Sequence, residues 1–573
     1  MQKRWVIQSF KEPDQVAGLE KVLGTPSAIS AILLHREIET FEAARCFFRP
    51  SLAQLYDPFL MQDMEQAVTR LHQALSKKEK ILIYGDYDVD GTTAVAMVYG
   101  FLQLLPGTAV SYYVPDRMVE GYGVSMQAIE KAHQEGIKLI ITLDCGIKAY
   151  ASIARAVERG IDVIVCDHHE AGDTLPLAYA ILDPKQSGCP YPFKELSGCG
   201  IGFKLLQAFC KQYGCNPDIL YTYLDLVAVS IACDIVPLVG ENRILAYFGI
   251  KQLETNPRPG LQALIELGIF ATTITISDIV FKIGPRINAA GRMSHAALAV
   301  QLLIEQDAVK AYHLAQSIDQ QNLLRQSLDY TITQEALAMI ENRPYQSKSN
   351  VLFNPDWHKG IIGIVASRCI EQCYRPTVIL TLSDGQATGS ARSIPGYNIY
   401  EAISACSGLL HQYGGHAFAA GLTMPLTHMT KFQKKFEEVV SQTITDDLLM
   451  PQQTIHALIP FQAITQKFVN ILMQMAPFGP GNATPVFASE KVYARKFHAI
   501  KGKHLKMELY QIDCAQSYEA IGFGLGPYLP LVSTGKPFSI AYTIGYNYYL
   551  GNKSLQLMVK DIKEAAYINP YIP

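Results

Sequence analysis

The sequence lacks paired metal-binding cysteines, long apolar runs and a strong net charge. Its 573 residues include twelve cysteines but no C-x-x-C pair, and the closest spacings lack the partners of a zinc site. No apolar run is long enough to cross a bilayer, and the amino end has no secretory signal. Scattered thiols suit a reducing interior, so we expect a cytoplasmic protein without disulfides or membrane contact. The net charge of −3 gives no global basic field that would point to nucleic acid.

The composition is that of a folded, multidomain protein. Hydrophobic residues make up 49% of the chain and charged residues 18%, and this length predicts three or four domains. From Lys80 to Pro184, short β-branched runs alternate with helical stretches, which predicts a parallel, doubly wound sheet. The predicted strands are Ile81–Tyr84, Val110–Val114, Leu139–Leu143, Val163–Cys166 and Ala180–Leu182.

The predicted secondary structure changes twice along the rest of the chain. Helical patterns dominate from 216 to 345, and the stretch from Ala296 to Arg343 contains no proline, which predicts a long connecting helix. A second region of mixed strands and helices follows from 349 to about 447. From about Gln452 onward, short β-rich pieces predict a small barrel.

Polar side chains follow three of the predicted parallel strands. They are Asp86, Asp88 and Asp90 after the first strand, Asp144 after the third, and Asp167, His168 and His169 after the fourth. A single aspartate at a strand end is usually a helix cap or a turn residue, but three coincidences at one sheet edge favour a ligand site. Carboxylates and imidazoles without thiolates suit Mn²⁺ or Mg²⁺. So many carboxylates predict two ions, about 3.5–4 Å apart, that share one of them.

An ordered set of motifs resembles the DHH phosphoesterase superfamily and, within it, the RecJ family. The superfamily's first domain is matched by DYDVDG, LDCG, DHH and ACDIVPL, and its companion DHHA1 domain by WHKGIIGIVASR, GSARS and GGHAFAAG. Segments of the RecJ family, which are single-strand-specific 5′→3′ exonucleases, are matched by GPRINAAGRM and PFGPGNATPVF. The resemblance covers nearly the whole chain in the right order.

The resemblance implies an α/β architecture with four parts. These are a doubly wound parallel-sheet DHH domain, a long connecting helix, a second α/β (DHHA1) domain and a C-terminal OB-like β-barrel. The expected limits are 1–60 for an N-terminal segment packing on the core, 61–295 for the DHH catalytic domain with a helical insertion, 296–345 for the connecting helix, 346–448 for the DHHA1 domain and 449–573 for the OB-like single-strand-binding domain.

The resemblance also implies roles for the residues at this sheet edge. We call them the acidic edge: Asp86, Asp88, Asp90, Asp144, His168, His169 and Asp234. Asp88 and Asp90 would bind one ion each, and Asp144 would bridge the two ions. His168 and Asp234 would complete the shell of the tighter ion, whereas His169 would meet the scissile phosphate. Asp86 has a supporting role, because Tyr84 stands where other superfamily members supply a histidine. The expected cofactor is two divalent ions, Mn²⁺ or Mg²⁺, with Asp144 and His169 as the catalytic residues.

An exonuclease that starts at a 5′ end needs a pocket for the terminal phosphate, and arginine forks suit that ligand. The resemblance implies 5′-phosphate and DNA contacts from Arg117, Tyr122, Arg292, Ser390, Arg392 and His416. Tyr122 would stack on the terminal base. For each arginine alone, an exposed ion pair is the competing interpretation. Neighbouring glycines favour a ligand at Arg292 and at Ser390 and Arg392, because they let the backbone approach it closely.

Positive charge is concentrated near the C-terminus. From Val486 to Pro573 there are ten lysines and arginines against six aspartates and glutamates. Aromatic side chains (Tyr493, Phe497 and Tyr510) are interleaved with the basic ones. Such strands fit a single-strand-binding barrel, and a solvated basic face is the competing interpretation.

These features predict a metal-dependent exonuclease that degrades single-stranded DNA in the 5′→3′ direction by two-metal phosphodiester hydrolysis, in DNA repair and recombination. Two alternatives stay open: a DHH phosphodiesterase of short oligonucleotides or cyclic dinucleotides, and a non-catalytic nucleic-acid-binding scaffold. The predicted barrel disfavours the first, and the complete ligand set disfavours the second. The expected partners are single-stranded DNA, single-strand-binding protein and a RecQ-type helicase, and the expected state is a monomer.

Overall fold

The computed structural model describes residues 3–8, 13–268, 273–342, 347–549 and 552–564. The predicted limit between the connecting helix and the second α/β domain, at 345 and 346, lies outside these residues, as do both ends of the chain. Within the described part, no single helix has the length and hydropathy needed to cross a bilayer. The bent pair Pro13–Leu23 and Ser27–His35 meets that criterion only when counted together.

The N-terminal segment packs on the C-terminal barrel. It contains strand β1 (Arg4–Ile7) and helices α1 (Pro13–Leu23), α2 (Ser27–His35) and α3 (Phe41–Phe48). Ile32 and Leu33 of α2 share a hydrophobic core with Phe468 and Phe487 of the barrel region. Residues 52–59, in contrast, pack against the core of the first α/β domain. The segment therefore contacts both the barrel region and the first α/β domain.

The first α/β domain contains the predicted parallel sheet. Its elements are α4 (Met64–Ser76), β2 (Lys80–Gly85), α5 (Val89–Gln103), β3 (Ala109–Tyr113), α6 (Met126–Gln134), β4 (Leu139–Leu143), α7 (Tyr150–Glu158), β5 (Asp162–Cys166) and β6 (Ala180–Leu182). The strand order is β3-β2-β4-β5-β6, and every pair is parallel. Ile81 and Ile83 pack on one face, and Leu82 and Tyr84 pack on the other. The apolar runs are continuous because both faces of the sheet are buried.

A helical region follows the sheet. It comprises α8 (Gly198–Tyr213), α9 (Pro217–Tyr221), α10 (Leu224–Cys233), α11 (Gly240–Thr255), α12 (Pro259–Leu267), α13 (Ile276–Asp278), a π-helical turn (Ile279–Ile283), α14 (Gly284–Met293), α15 (Ala297–Ile304) and α16 (Ala308–Glu341). The 34-residue α16 confirms the long connecting helix. Its predicted start at Ala296 is wrong, because Asp307 caps α16 by accepting from the Lys310 N–H at 2.9 Å, which separates it from α15.

The second α/β domain is built on a mixed sheet. It contains β7 (Asn350–Phe353), α17 (Ile362–Cys373), β8 (Thr377–Ser383), β9 (Gln386–Arg392), α18 (Ile399–Ser404), β10 (Gln412–His416), β11 (Ala419–Pro425) and α19 (Met429–Thr443). The strand order is β10-β11-β9-β8-β7. Strands β7 and β8 are parallel and the other pairs are antiparallel.

The C-terminal region forms the predicted barrel. Its elements are β12 (Gln452–Ile455), β13 (Ala457–Leu458), α20 (Gln466–Gln474), β14 (Phe487–Ile500), β15 (His504–Tyr510), β16 (Ser517–Gly522), α21 (Leu529–Val532), β17 (Phe538–Tyr549) and β18 (Asn552–Glu564). The order β14-β15-β16-β18-β17 closes through pairing of β14 with β17. Strand β12 pairs with β1, which ties the N-terminal segment to the barrel.

Candidate active site

The acidic edge lies at the carboxyl ends of the parallel strands, where ligands bind in open α/β sheets. Asp144 follows β4 and His168 lies two residues beyond β5, whereas Asp234 arrives at the C-terminal end of α10. His168 Nε2 lies 3.1 Å from Asp144 Oδ1, 3.6 Å from Asp234 Oδ2 and 3.8 Å from Asp90 Oδ2. Three carboxylates therefore surround one imidazole nitrogen.

Asp90 is held in place by the start of α8. Its Oδ2 accepts from the Gly198 N–H at 2.6 Å, and its Oδ1 accepts from the Cys199 N–H at 2.8 Å and the Ser230 hydroxyl at 2.7 Å. A Cβ at Gly198 would lie 2.6 Å from the Cβ of Asp144, so only glycine lets this helix approach the edge so closely. The helix N-terminus thus fixes one carboxylate by donating two backbone hydrogen bonds.

Asp86 and Asp88 form the other half of the edge. Asp88 caps α5, its carboxylate accepting from the Gly91 N–H at 3.2 Å. Ligand atoms of Asp86, Asp88 and Asp144 lie within 4.8 Å of one another, as do those of Asp90, His168 and Asp234. The ligand atoms of Asp144, His168 and His169 form a third such group. Asp144 therefore belongs to two of the three groups, and His168 links it to the group that contains Asp90.

The electrostatics of this edge fit divalent cations. Burial, followed by the charge of neighbouring carboxylates, raises the pKa of Asp86 and Asp144 well above the usual range and that of Asp234 to about 9. Asp86 Oδ1 and Asp234 Oδ2 are buried without a hydrogen-bond partner among the described residues. Carboxylates and an imidazole are donors that Mn²⁺ and Mg²⁺ accept, and two positive ions would relieve this repulsion.

His169 is oriented by Asp167. The Nδ1 of His169 lies 2.7 Å from Asp167 Oδ1, and Asp167 Oδ2 accepts from the Ile147 N–H at 2.9 Å. Burial alone would lower the pKa of His169, but the hydrogen bond and charge of Asp167 outweigh it and raise the pKa. The Tyr122 hydroxyl donates to the Asp144 carbonyl at 3.2 Å and lies 3.2 Å from His169 Nδ1. Tyr122 therefore lies directly beside the acidic edge.

Three of the predicted phosphate-binding arginines form a cluster between the domains. Arg292, at the end of α14, donates to the Gly360 carbonyl at 2.9 Å, and the Arg117 guanidinium lies 4.8 Å from the centre of the Tyr87 ring. Burial and then the charges of Arg117, Arg325 and Arg392 lower the pKa of Arg292 to about 9. Within the described part of the chain, Arg117, Arg292 and Arg392 have no carboxylate within 4.0 Å. Among the described residues the cluster therefore has no direct ion-pair partner, although the charge of Asp88 acts on Arg292 from farther away.

Ser390 and Arg392 lie on one face of β9. Arg392 Nη1 donates to the Ser390 hydroxyl at 2.9 Å. A Cβ at Gly363 would lie 2.8 Å from Arg392 Nη2 and 3.0 Å from Ser390 Oγ, so the glycine makes room for this pair. A cleft of about 900 Å³, bordered by Arg117, Tyr122 and Gly389, separates the first domain from this sheet.

His416 lies on the same sheet as Arg392. It is exposed at the end of β10 and pairs with Ala419 of β11, which pairs in turn with Arg392 of β9. On the barrel, Arg495 and Lys496 pair with Glu508 at 2.9 and 3.2 Å, so part of the predicted basic surface is neutralised. The rings of Tyr493 and Tyr510 stack with centroids 5.5 Å apart.

The sequence placed Asp167 at this edge but predicted no role for it, and two other residues, Ser230 and Asp183, were not identified. The place of Asp167 in the DHH triplet directly after β5 could have revealed its role. Ser230 precedes Asp234 by one helical turn, so its spacing could have identified a neighbour of the site. Asp183 follows β6 at the same edge and is fully buried, and its Oδ2 has no hydrogen-bond partner among the described residues.

Comparisons with known proteins agree with this geometry. Three family models match: the DHH family N-terminal domain over residues 80–231, the DHHA1 domain over 347–442 and the RecJ OB domain over 455–561. The fold and its acidic edge thus define the class, a phosphoesterase of the DHH superfamily.

Comparison with individual relatives identifies a family within this superfamily. The single-stranded-DNA-specific exonuclease RecJ of Bacillus subtilis is 38% identical over 97% of this chain and 70% of that protein. Crystal structures of RecJ from Thermus thermophilus with Mn²⁺ and with Mg²⁺ match 99% and 98% of this chain, and 80% and 78% of theirs. Their TM-scores are 0.84 and 0.77, at 26% and 25% identity. The chain belongs to the RecJ family.

Proposed function

We propose that the chain removes nucleotides from the 5′ end of single-stranded DNA by metal-dependent hydrolysis, in DNA repair and recombination. The proposal rests on the presence of two neighbouring sites of opposite charge. A negative edge suited to divalent cations borders the first domain, and an arginine cluster without carboxylate partners lies between the domains. A phosphate-rich polymer that ends in a 5′ phosphate complements both sites.

The proposed ion ligands are Asp90, Asp144, His168 and Asp234 for one ion, and Asp88 with the shared Asp144 for the other. Bound divalent ions supply a Lewis acid for the phosphate and lower the pKa of water. Asp90 is pre-positioned by its three hydrogen-bond donors, so little reorganisation accompanies binding. Asp167 holds the imidazole of His169, which leaves its Nε2 to donate a hydrogen bond to the scissile phosphate.

The proposed 5′-phosphate pocket consists of Arg117, Arg292, Ser390 and Arg392. Mutual repulsion among these partly buried guanidinium groups is relieved when a phosphate dianion enters, which makes phosphate binding favourable there. Tyr122, on the same loop as Arg117, is proposed to stack on the terminal base and His416 to contact a backbone phosphate. The fixed distance between pocket and ions then selects the bond that is cut.

We further propose the partners and domain limits predicted above, except that the connecting helix begins at Ala308. The family matches at 80–231, 347–442 and 455–561 fall inside the proposed domains. A closed barrel with stacked tyrosines supports single-strand binding. Twelve free thiols support a reducing cytoplasmic setting. Single-strand-binding protein and a RecQ-type helicase are proposed as partners of a monomer, and light scattering should give a mass near 63.4 kDa.

The test uses two single strands of one sequence, labelled at the 5′ or the 3′ end, with Mn²⁺, Mg²⁺ or EDTA. The 5′ label should appear at once as a mononucleotide, while the 3′ label stays on progressively shorter strands. EDTA should stop both reactions. Immediate release of the 3′ label as a mononucleotide would contradict the proposed polarity, and turnover in EDTA would contradict the metal site.

A further inference from the structure

The loop from Asp116 to Gly123 joins β3 to the turn before α6 and carries two proposed DNA contacts, Arg117 and Tyr122. Its tip is exposed: Val119 has 79% of its surface accessible. Gly121 and Gly123 adopt positive φ values of 78° and 92°, which widens the conformations open to this loop. Because the exposed tip makes few contacts, residues elsewhere in the domain must hold Arg117 and Tyr122 in place.

Glu120 supplies part of that support. Its Oε1 accepts from the Asp116 N–H at 2.8 Å and from the Tyr113 hydroxyl at 3.0 Å, and its Oε2 accepts from the Ser125 hydroxyl at 2.5 Å. One carboxylate thus joins β3, the start of the loop and the cap of α6. Although Glu120 borders the cleft, both its oxygens are engaged by these donors.

Tyr84, on strand β2, supports the other end of the loop. It is fully buried at the end of β2, and its hydroxyl donates to the Gly123 carbonyl at 2.8 Å and accepts from the Ser125 N–H at 3.2 Å. Its ring stacks on Tyr113 with centroids 5.6 Å apart. Tyr84 and Glu120 therefore hold opposite ends of the same loop.

We propose that Glu120 and Tyr84 are positioning residues that set the preference of the enzyme for a 5′-terminal phosphate. They hold the loop so that Arg117 joins Arg292 and Arg392 in one pocket. When either support is removed, the loop samples other conformations and Arg117 leaves the cluster more often. This inference rests on the proposed 5′-phosphate pocket, and neither residue needs to touch DNA.

The test compares kcat/KM on 5′-phosphorylated and 5′-hydroxyl strands of one sequence for wild type, Tyr84→Phe, Glu120→Gln and Glu120→Ala. In Glu120→Ala the ratio between the two substrates should fall about tenfold, because a charged acceptor of several hydrogen bonds is lost. Glu120→Gln keeps one acceptor oxygen and should recover part of the ratio. Tyr84→Phe loses only the hydroxyl and should lower the ratio less than Glu120→Ala.

Matched controls come from the same domain. Tyr99→Phe removes a hydroxyl that accepts a hydrogen bond from Gln103 within α5, and Glu135→Ala removes an exposed carboxylate at the end of α6. Neither side chain has a hydrogen bond to the loop among the described contacts. Both controls should keep the wild-type ratio. Melting temperatures measured for every variant show whether it is folded at the assay temperature.

The outcomes separate this inference from the function on which it rests. A wild-type enzyme that does not distinguish the two substrates would overturn both the pocket and the positioning role. A wild-type preference that survives intact in Tyr84→Phe and Glu120→Ala would overturn the positioning role alone. Equal losses on both substrates, with lower melting temperatures, would show a purely structural role and would also overturn it.

Discussion

At the scale of single residues, the carboxylates of the acidic edge repel one another, and hydrogen-bond donors hold some of them in place. Asp90 has three donors, whereas Asp86 and Asp234 each keep a buried oxygen without a hydrogen-bond partner among the described residues. A buried carboxylate oxygen without a donor favours protonation of the group or binding of a cation. The chain thus holds its ligand candidates in an arrangement that favours cation binding.

Asp144→Ala should abolish cleavage and leave single-strand affinity largely unchanged, because the proposed bridge between the ions is lost and the cleft remains. Asp86→Ala should reduce cleavage by about 10- to 100-fold, as expected for a supporting residue. Cleavage is measured at saturating Mn²⁺, and binding by fluorescence anisotropy. Substantial turnover in Asp144→Ala, or an equal loss in both variants, would contradict the proposed roles.

The pair of Asp167 and His169 makes the metal-free protein sensitive to pH. Burial alone would raise the pKa of Asp167, but the hydrogen bond and charge of His169 lower it to about 2. The contribution of Asp167 to stability is therefore present above about pH 3.9, its unfolded pKa, and is lost as the pH falls towards 2. The raised pKa of His169 acts in the opposite sense: its contribution is present below about pH 6.5 and is lost as the pH rises through the folded value.

Asp167→Asn should lower the pKa of His169, because a neutral amide no longer stabilises the imidazolium. The measurement is an NMR titration of the histidine ring protons in metal-free wild type and variant. An unchanged pKa of His169 would show that Asp167 does not control its protonation.

At the scale of elements, the barrel strands divide their positive charge between ion pairs and free lysines. Arg495 and Lys496 pair with Glu508, whereas Lys501, Lys503 and Lys506 have no carboxylate within 4.0 Å in the described part of the chain. Charges that are not neutralised within the protein are the ones available to DNA phosphates.

Changing Lys501, Lys503 and Lys506 together to glutamine should weaken binding of long single strands. If all three contact phosphates, the slope of log affinity against log salt should become shallower by about 2, since each contact contributes roughly 0.7. Arg495→Gln with Lys496→Gln is the matched control and should change the slope less. Affinity is measured by anisotropy from low to high salt, and an unchanged slope in the triple variant would show that these lysines face only solvent.

A second element-scale feature joins α11 to the approach to the barrel. The buried Arg243 donates to the carbonyls of Phe47, Met475, Ala476 and Pro477, and its guanidinium stacks 3.8 Å from the centre of the Phe47 ring. Arg243→Ala should lower the free energy of unfolding by about 3 kcal/mol, because a charged donor is lost and buried carbonyls remain. Calorimetry should show a lower melting temperature, whereas the exposed Arg495→Ala should change it little. An unaltered melting temperature in Arg243→Ala would show that the junction does not depend on this side chain.

At the scale of the whole molecule, the features that depend on local sequence patterns could be predicted from the sequence. The strands were predictable because runs such as Leu139–Leu143 are buried on both faces, and the strand-end positions of Asp144 and His168 followed from parallel topology. Asp234 was identified only through the family resemblance, since it arrives from a helix. The break before α16, the packing of α2 on the barrel and the bonds of Glu120 depend on tertiary contacts or capping that no hydrophobic period reveals.

We propose that an anion pocket between the domains, set against the acidic edge, determines where cleavage begins. Arg392→Ala removes one charge from that pocket, and its effect is measured as kcat/KM on 5′-phosphorylated and 5′-hydroxyl strands at one ionic strength. Loss of a charge-assisted phosphate contact should reduce use of the phosphorylated strand roughly ten- to a hundredfold and affect the hydroxyl strand much less. Equal losses on the two strands would contradict the claim, because Arg392 would then not bind the terminal phosphate.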